Sequence, residues 1–167
     1  GTLEGDDMGV SCVSATYRIS RLMRDGSMDT GYGAGGTLVV PDLASADCEA
    51  PTVFATDATG AAVIGDRWRL RRITPDGKAD MNFGSSAGVA FPPFEGAILG
   101  GTMTSAGVLL LHSDQAFGRL TPGGQIDLRF GDGDGVLPLW DDGDGIHLDR
   151  VGSVALAPDG RSVYVQS

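Results

Sequence analysis

One pattern occurs three times in this 167-residue chain without a gap. It occupies Arg21–Gly33, Arg72–Gly84 and Arg119–Gly131, in the frame Arg, apolar, x, x, Asp or Gly, Gly, x, x, Asp, x, x, Tyr or Phe, Gly. The turn glycines Gly26, Gly77 and Gly124 lie 51 and 47 residues apart. A repeat of that period makes each unit one supersecondary structure that buries its apolar face by stacking on its neighbours.

A second, weaker repeat runs between these copies. Thr52–Ala55 leads through Asp57–Gly60 to Ala61–Gly65. Gly96–Leu99 leads through Thr104–Gly107 to Val108–Leu111, and Val154–Ala157 through Pro158–Gly160 to Ser162–Val165. Two apolar runs around a glycine turn read as a hairpin. A unit is therefore two hairpins in about 50 residues, the sequence appearance of a four-stranded propeller blade. Composition agrees: 27 glycines, and 19 Asp against only 3 Glu, favour tight turns over helix surfaces. The expected fold is all-β, with β-propeller-type repeats amounting to about three blades in a single domain over 1–167. The expected divisions are a half blade at 15–40, blades at 51–91 and 96–138, and a half blade at 151–166.

The first hairpin can be specified further. A three-residue loop, a type I turn followed by a left-handed glycine, favours Pro first and Gly third, as in Pro75-Asp76-Gly77 and Pro122-Gly123-Gly124. That loop pairs Thr74 with Lys78, Ile73 with Ala79 and Arg72 with Asp80. The same count sets Arg21 opposite Asp29 and Arg119 opposite Asp127, predicting one Arg–Asp ion pair per unit, partly covered by the neighbouring blade. Alternation puts each Arg on the face of Tyr17 and Ile19, of Trp68 and Leu70, or of Phe117. Trp68, aligned with Tyr17 and Phe117, is expected in the core. An ion pair repeated in every unit reads as a structural latch, since active sites are seldom triplicated.

The frame from Arg21 to Gly36, with the Pro-Asp-Gly hairpin of Val154–Val165, resembles the delta-60 repeat of bacterial propeller-like proteins. The resemblance implies a propeller in an exported or surface-associated bacterial protein (periplasmic, cell-surface or extracellular), with no catalytic residues to carry over. The chain departs from that pattern at Pro41–Pro51 and in the acidic insertion Leu137–Arg150. Cys12 and Cys48 lack zinc-ligand spacing. In a chain resembling exported proteins an even pair suggests a disulfide, with two buried free thiols as the alternative. Because three blades are fewer than the usual four to eight, we expect a segment of a longer propeller or a homo-oligomer. In the oligomer, the last strands of one copy complete the first blade of another.

The richest cluster for chemistry is Asp141-Asp142-Gly143-Asp144-Gly145-Ile146-His147-Leu148-Asp149. Alternating Asp and Gly curls carboxylates around a hard cation, so Asp142, Asp144 and Asp149 are the candidate calcium ligands. The match is incomplete, because Trp140 stands where a full loop has an acid. Asp132 and Asp134 are a weaker candidate, explained equally by the turn that the first copy writes Gly33-Ala34-Gly35-Gly36. His112-Ser113-Asp114 cannot form a local triad, because neighbours in a strand point to opposite faces. The glycine-rich stretch Gly31–Gly36 is followed by a strand, which argues against a phosphate cradle. A net charge of −10 speaks against nucleic acid and anionic membranes as partners, and no apolar run is long enough for a transmembrane helix. The residues favour a non-enzymatic binding or scaffold module for a protein or glycan partner, with loops 41–51 and 137–150 as recognition elements. The alternative is a calcium-dependent, lactonase-like propeller hydrolase.

Overall fold

The structure, a computed structural model, describes residues 17–40, 52–139, 153–156 and 163–166. Every regular element among them is a β-strand and every strand pairing is antiparallel, so the fold is all-β. Strands β1 (Tyr17–Ser20) and β2 (Thr37–Val40) form one pair. Strands β3 (Thr52–Thr56), β4 (Ala62–Gly65) and β5 (Leu70–Ile73) form a three-stranded sheet in chain order. A four-stranded sheet follows, from β6 (Gly100–Met103), β7 (Leu109–His112), β8 (Ala116–Leu120) and β9 (Val136–Pro138). Strands β10 (Ser153–Leu156) and β11 (Val163–Gln166) make the last pair.

The repeated turns have the expected chemistry. Thr74 N–H donates to the Lys78 carbonyl at 2.8 Å and Gly77 N–H to the Thr74 carbonyl at 2.9 Å. The same two bonds join Met23, Gly26 and Ser27, and again Thr121, Gly124 and Gln125. Gly26, Gly77 and Gly124 all take positive φ, between 77° and 85°, a conformation that costs any residue with a Cβ. The register follows from the loop: Leu22 bridges Met28, Ile73 bridges Ala79 and Leu120 bridges Ile126. A second turn then swings each chain to its aromatic, with Tyr32, Phe83 and Phe130 donating back to the carbonyls of Asp29, Asp80 and Asp127.

The core lies between successive units. Tyr32, Val40, Ile64 and Ile73 form one buried cluster, joining the first unit to the second. Val63, Leu70, Phe83, Ala90, Ile98, Leu109, Leu111 and Leu120 form another, joining the second to the third. The aromatics of the first two units thus pack with the apolar strand residue of the next, Tyr32 with Ile73 and Phe83 with Leu120. Strand β3 lies against β6, and β6 against β10.

Two expectations at strand ends are corrected. Trp68 is 47% exposed rather than core. Strand β5 starts only at Leu70, because Asp66 Oδ1 accepts the N–H groups of both Trp68 and Arg69 at 2.8 Å and turns the chain there. The strand entering the 104–107 turn is Gly100–Met103, immediately before it, and not Gly96–Leu99. Ile98 instead drops into the core, its N–H bound to the Arg67 carbonyl at 2.7 Å. In the second unit the fourth strand shrinks to one bridge, Leu70 to Ala90.

Candidate functional site

The arginines of the repeat do more than face their aspartates. Arg21 Nε donates to Asp29 Oδ2 at 2.8 Å, and its guanidinium stacks 4.8 Å from the centre of the Tyr32 ring. Arg119 repeats this, with Nε 3.0 Å from Asp127 Oδ2 and 4.8 Å separating its guanidinium from the Phe130 ring. Arg72 departs from the expectation: its ion pair is with Asp57 Oδ2, at 3.3 Å, and not with Asp80. Asp57 sits in the β3–β4 turn with its side chain 5% exposed, so it competes for the guanidinium where Thr104 at the equivalent turn of the next unit cannot.

The free ends of two arginines cross to the following unit. Arg21 Nη1 donates to the Pro75 carbonyl, and Arg72 Nη1 to the Pro122 carbonyl at 3.1 Å. Beside each, the glycine after the aromatic donates its N–H into the same turn: Gly33 to the Asp76 carbonyl at 2.9 Å and Gly84 to the Gly123 carbonyl at 2.7 Å. Each seam therefore combines an arginine, a backbone N–H and an aromatic ring from one unit with the turn of the next.

Charge follows this geometry. The hydrogen bond from Arg21 holds the Asp29 carboxyl below the usual range. Burial pushes Asp57 up, but Thr59, the Ala61 N–H and Arg72 outweigh it and leave the group low. Asp127 behaves alike: burial raises it, and Arg129 and Arg119 together bring it down. At the surface, Lys78 and Thr74 draw Asp76 down to about 2.

The second unit meets the third around a shallow cleft of about 380 Å³, lined by Ser85, Phe91, Pro92, Gly124, Gln125, Ile126 and Leu128. Its wall is stiff. A Cβ on Gly118 would strike Pro93 and Phe94 at 2.6–2.7 Å, so the loop at 91–94 lies flat on β8. Phe91, Ile126 and Leu128 are exposed, and Gln125 Nε2 donates to the Gly84 carbonyl at 3.3 Å across the seam. Sequence reasoning missed this surface, because its residues come from two units and share no motif.

The chain matches no family model and no curated protein.

The calcium candidates Asp142, Asp144 and Asp149 lie outside the described residues, as do Cys12, Cys48, Trp140 and His147. Among the described residues no three His, Cys, Asp or Glu side chains gather to hold a metal ion. Asp134 is committed to its own turn, accepting the Val136 N–H at 2.9 Å. In the glycine-rich stretch the N–H groups of Gly33, Ala34 and Gly36 bond to Asp76, Thr37 and Tyr32 carbonyls. His112 is buried on β7 and Ser113 ties the β7–β8 turn, accepting the Gln115 and Ala116 N–H groups. Asp114 is exposed, so the three do not converge. No helix among the described residues is long and apolar enough to cross a membrane.

Proposed function

We propose that this chain is a non-enzymatic scaffold of β-propeller type that holds a protein partner at its inter-unit cleft. The observation carrying this reading is the exposed apolar lining of Phe91, Ile126 and Leu128, beside a loop whose Pro93 and Phe94 pack closely on β8. Exposed apolar surface gathered on a rigid concave frame is how binding sites are built. The apolar character favours an aliphatic or aromatic peptide segment over a glycan. The propeller arrangement draws support from strands β3, β6 and β10, which abut in chain order as the first strands of their sheets. An exported or surface setting rests on the repeat resemblance, and the hydrolase alternative on Asp142, Asp144 and Asp149 alone.

The test is a displayed peptide library selected on the wild-type chain and on a Phe91→Ser/Leu128→Ser variant. Both side chains are solvent-exposed, so the variant keeps its thermal unfolding midpoint. Apolar-rich peptides that bind the wild type at least tenfold more tightly than the variant support the reading. Selection of the same peptides with equal affinity on both proteins overturns it.

A further inference from the structure

The seam described above occurs twice inside the chain, and each of its two faces is presented once more with nothing opposite among the described residues. The turn face is open on the first hairpin. A Cβ on Gly124 would fall 2.6 Å from Gly84 N, and one on Gly77 against Gly33, whereas Gly26 has nothing within 4 Å. Leu22 is 62% exposed, although its equivalents Ile73 and Leu120 are 0% exposed. The carbonyls of Arg24 and Asp25, equivalent to the Pro75/Pro122 and Asp76/Gly123 acceptors, receive no backbone N–H among the described residues.

The complementary face is open on the third unit. Arg119 bonds Asp127 and stacks on Phe130, but no carbonyl among the described residues receives its free nitrogens as Pro75 and Pro122 receive those of Arg21 and Arg72. Gly131 N–H has no backbone acceptor there, unlike Gly33 and Gly84. Phe130 stays half-buried, where Tyr32 and Phe83 are each 3% exposed. The strand edges agree: β4 pairs with β5 and β7 with β8, while β1 has only β2 and β11 only β10 as strand partners among the described residues.

We infer that two copies of this chain join head to tail, the third unit of one copy docking on the first hairpin of the other. Arg119 then donates to the Arg24 carbonyl and Gly131 N–H to the Asp25 carbonyl, and the Phe130 ring covers Gly26 and Leu22. Strand β11 of the first copy lies beside β1 of the second and completes a four-stranded sheet. A second copy is the occupant because the interface continues one the chain already forms twice, group for group. The acceptors are main-chain carbonyls, so Arg24 in place of the proline leaves the match intact. The interface is heterologous, each copy offering a different face, and it closes into a ring when the rotation permits. Covering β1 and β11 also removes edges that otherwise invite indiscriminate pairing.

The experiment is solution mass by light scattering at the highest soluble concentration and at physiological ionic strength, where repulsion between two chains of net charge −10 is screened. The wild type is expected at twice the 17.2 kDa chain mass or a higher multiple. Leu22→Asp is expected at the single-chain mass; its side chain lies in solvent in one copy, so it folds and decides the question by itself. Phe130→Asp breaks the other face. An equimolar mixture of the two variants regains a dimer, because one keeps its third unit and the other its first hairpin. A monomeric wild type overturns the inference, and so does a Leu22→Asp protein that associates like the wild type. A mixture of folded variants that stays monomeric does the same. None of these outcomes touches Phe91 or Leu128, so the cleft is tested separately.

Discussion

Arg72 gives its guanidinium to Asp57, 3.3 Å away in another turn, while Asp80 directly across the hairpin caps its own turn by accepting the Asn82 N–H at 3.0 Å. The two aspartates therefore differ in what they lose with the arginine. Arg72→Ala leaves Asp57 buried with only its Thr59 and Ala61 hydrogen bonds, and removes the bond to the Pro122 carbonyl. We expect a loss of about 2–4 kcal/mol, somewhat less than for breaking a fully buried pair because the Arg72 side chain is 27% exposed. Asp80→Ala removes one hydrogen bond to a backbone N–H and is expected to cost about 1 kcal/mol. Urea unfolding of the two variants checks the order, and equal losses would mean that Asp80 is the partner after all.

At the third unit Asp127 is held twice, by Arg119 Nε on Oδ2 and by Arg129 Nε on Oδ1, both at 3.0 Å, with its side chain 4% exposed. Asp127→Ala strands Arg119 against the Phe130 ring and unties the turn at Arg129. It is expected to cost about 3 kcal/mol. Asp127→Asn keeps an acceptor for the Arg129 N–H and should lose roughly half as much. Chemical denaturation of both separates charge from hydrogen bonding.

The glycines of the three equivalent turns should respond unequally to alanine. All three carry the penalty of a left-handed conformation, about 1–2 kcal/mol. At Gly124 the new methyl also meets Gly84 N and the Phe83 ring at 2.6–2.9 Å and pushes the seam apart. Gly124→Ala is therefore expected to lower the thermal midpoint well beyond Gly26→Ala, measured at a concentration where the chain is monomeric. Equal shifts would show that the second and third units do not pack as closely as their backbones indicate.

What the sequence made legible was local. Pro75-Asp76-Gly77 dictates its own loop, the loop dictates the Ile73–Ala79 register, and register sets Arg21 opposite Asp29. The choice of Asp57 by Arg72 was hidden, because the competing carboxylate lies 15 residues upstream in a different hairpin. Trp68 was misplaced because its spacing from Arg72 matches that of Tyr17 from Arg21, while the turn made by Asp66 delays the start of the strand to Leu70. The seam was invisible for a further reason: Arg21 and Arg72 reach carbonyl oxygens, which every residue possesses, so no side-chain pattern marks the acceptor. The Phe91 cleft depends on the same seam and was hidden with it.

Acid should destabilise the fold in two steps that His112 and the aspartates divide between them. Burial of His112 on β7 pushes its pKa below the usual value, the nearby Ser113 backbone opposing the shift only partly, and its Nδ1 has no hydrogen-bond partner among the described residues. The unfolded chain thus takes up the imidazole proton first, near its ordinary pKa of about 6.5. Stability from a neutral His112 is complete above that value and drains away as pH falls towards the depressed folded one. Asp29, Asp57 and Asp127 are lowered as well. Their contribution is complete above the unfolded carboxylate pKa of about 4 and is lost only as pH falls through their folded values. The wild-type thermal midpoint should therefore begin to decline as pH falls below about 6.5, and decline more steeply below about 4. His112→Leu, which puts an apolar side chain beside Leu110 and Leu111 against Phe117, should flatten the first decline and leave the second unchanged. A variant that follows the wild type through the upper window would place the titrating group elsewhere.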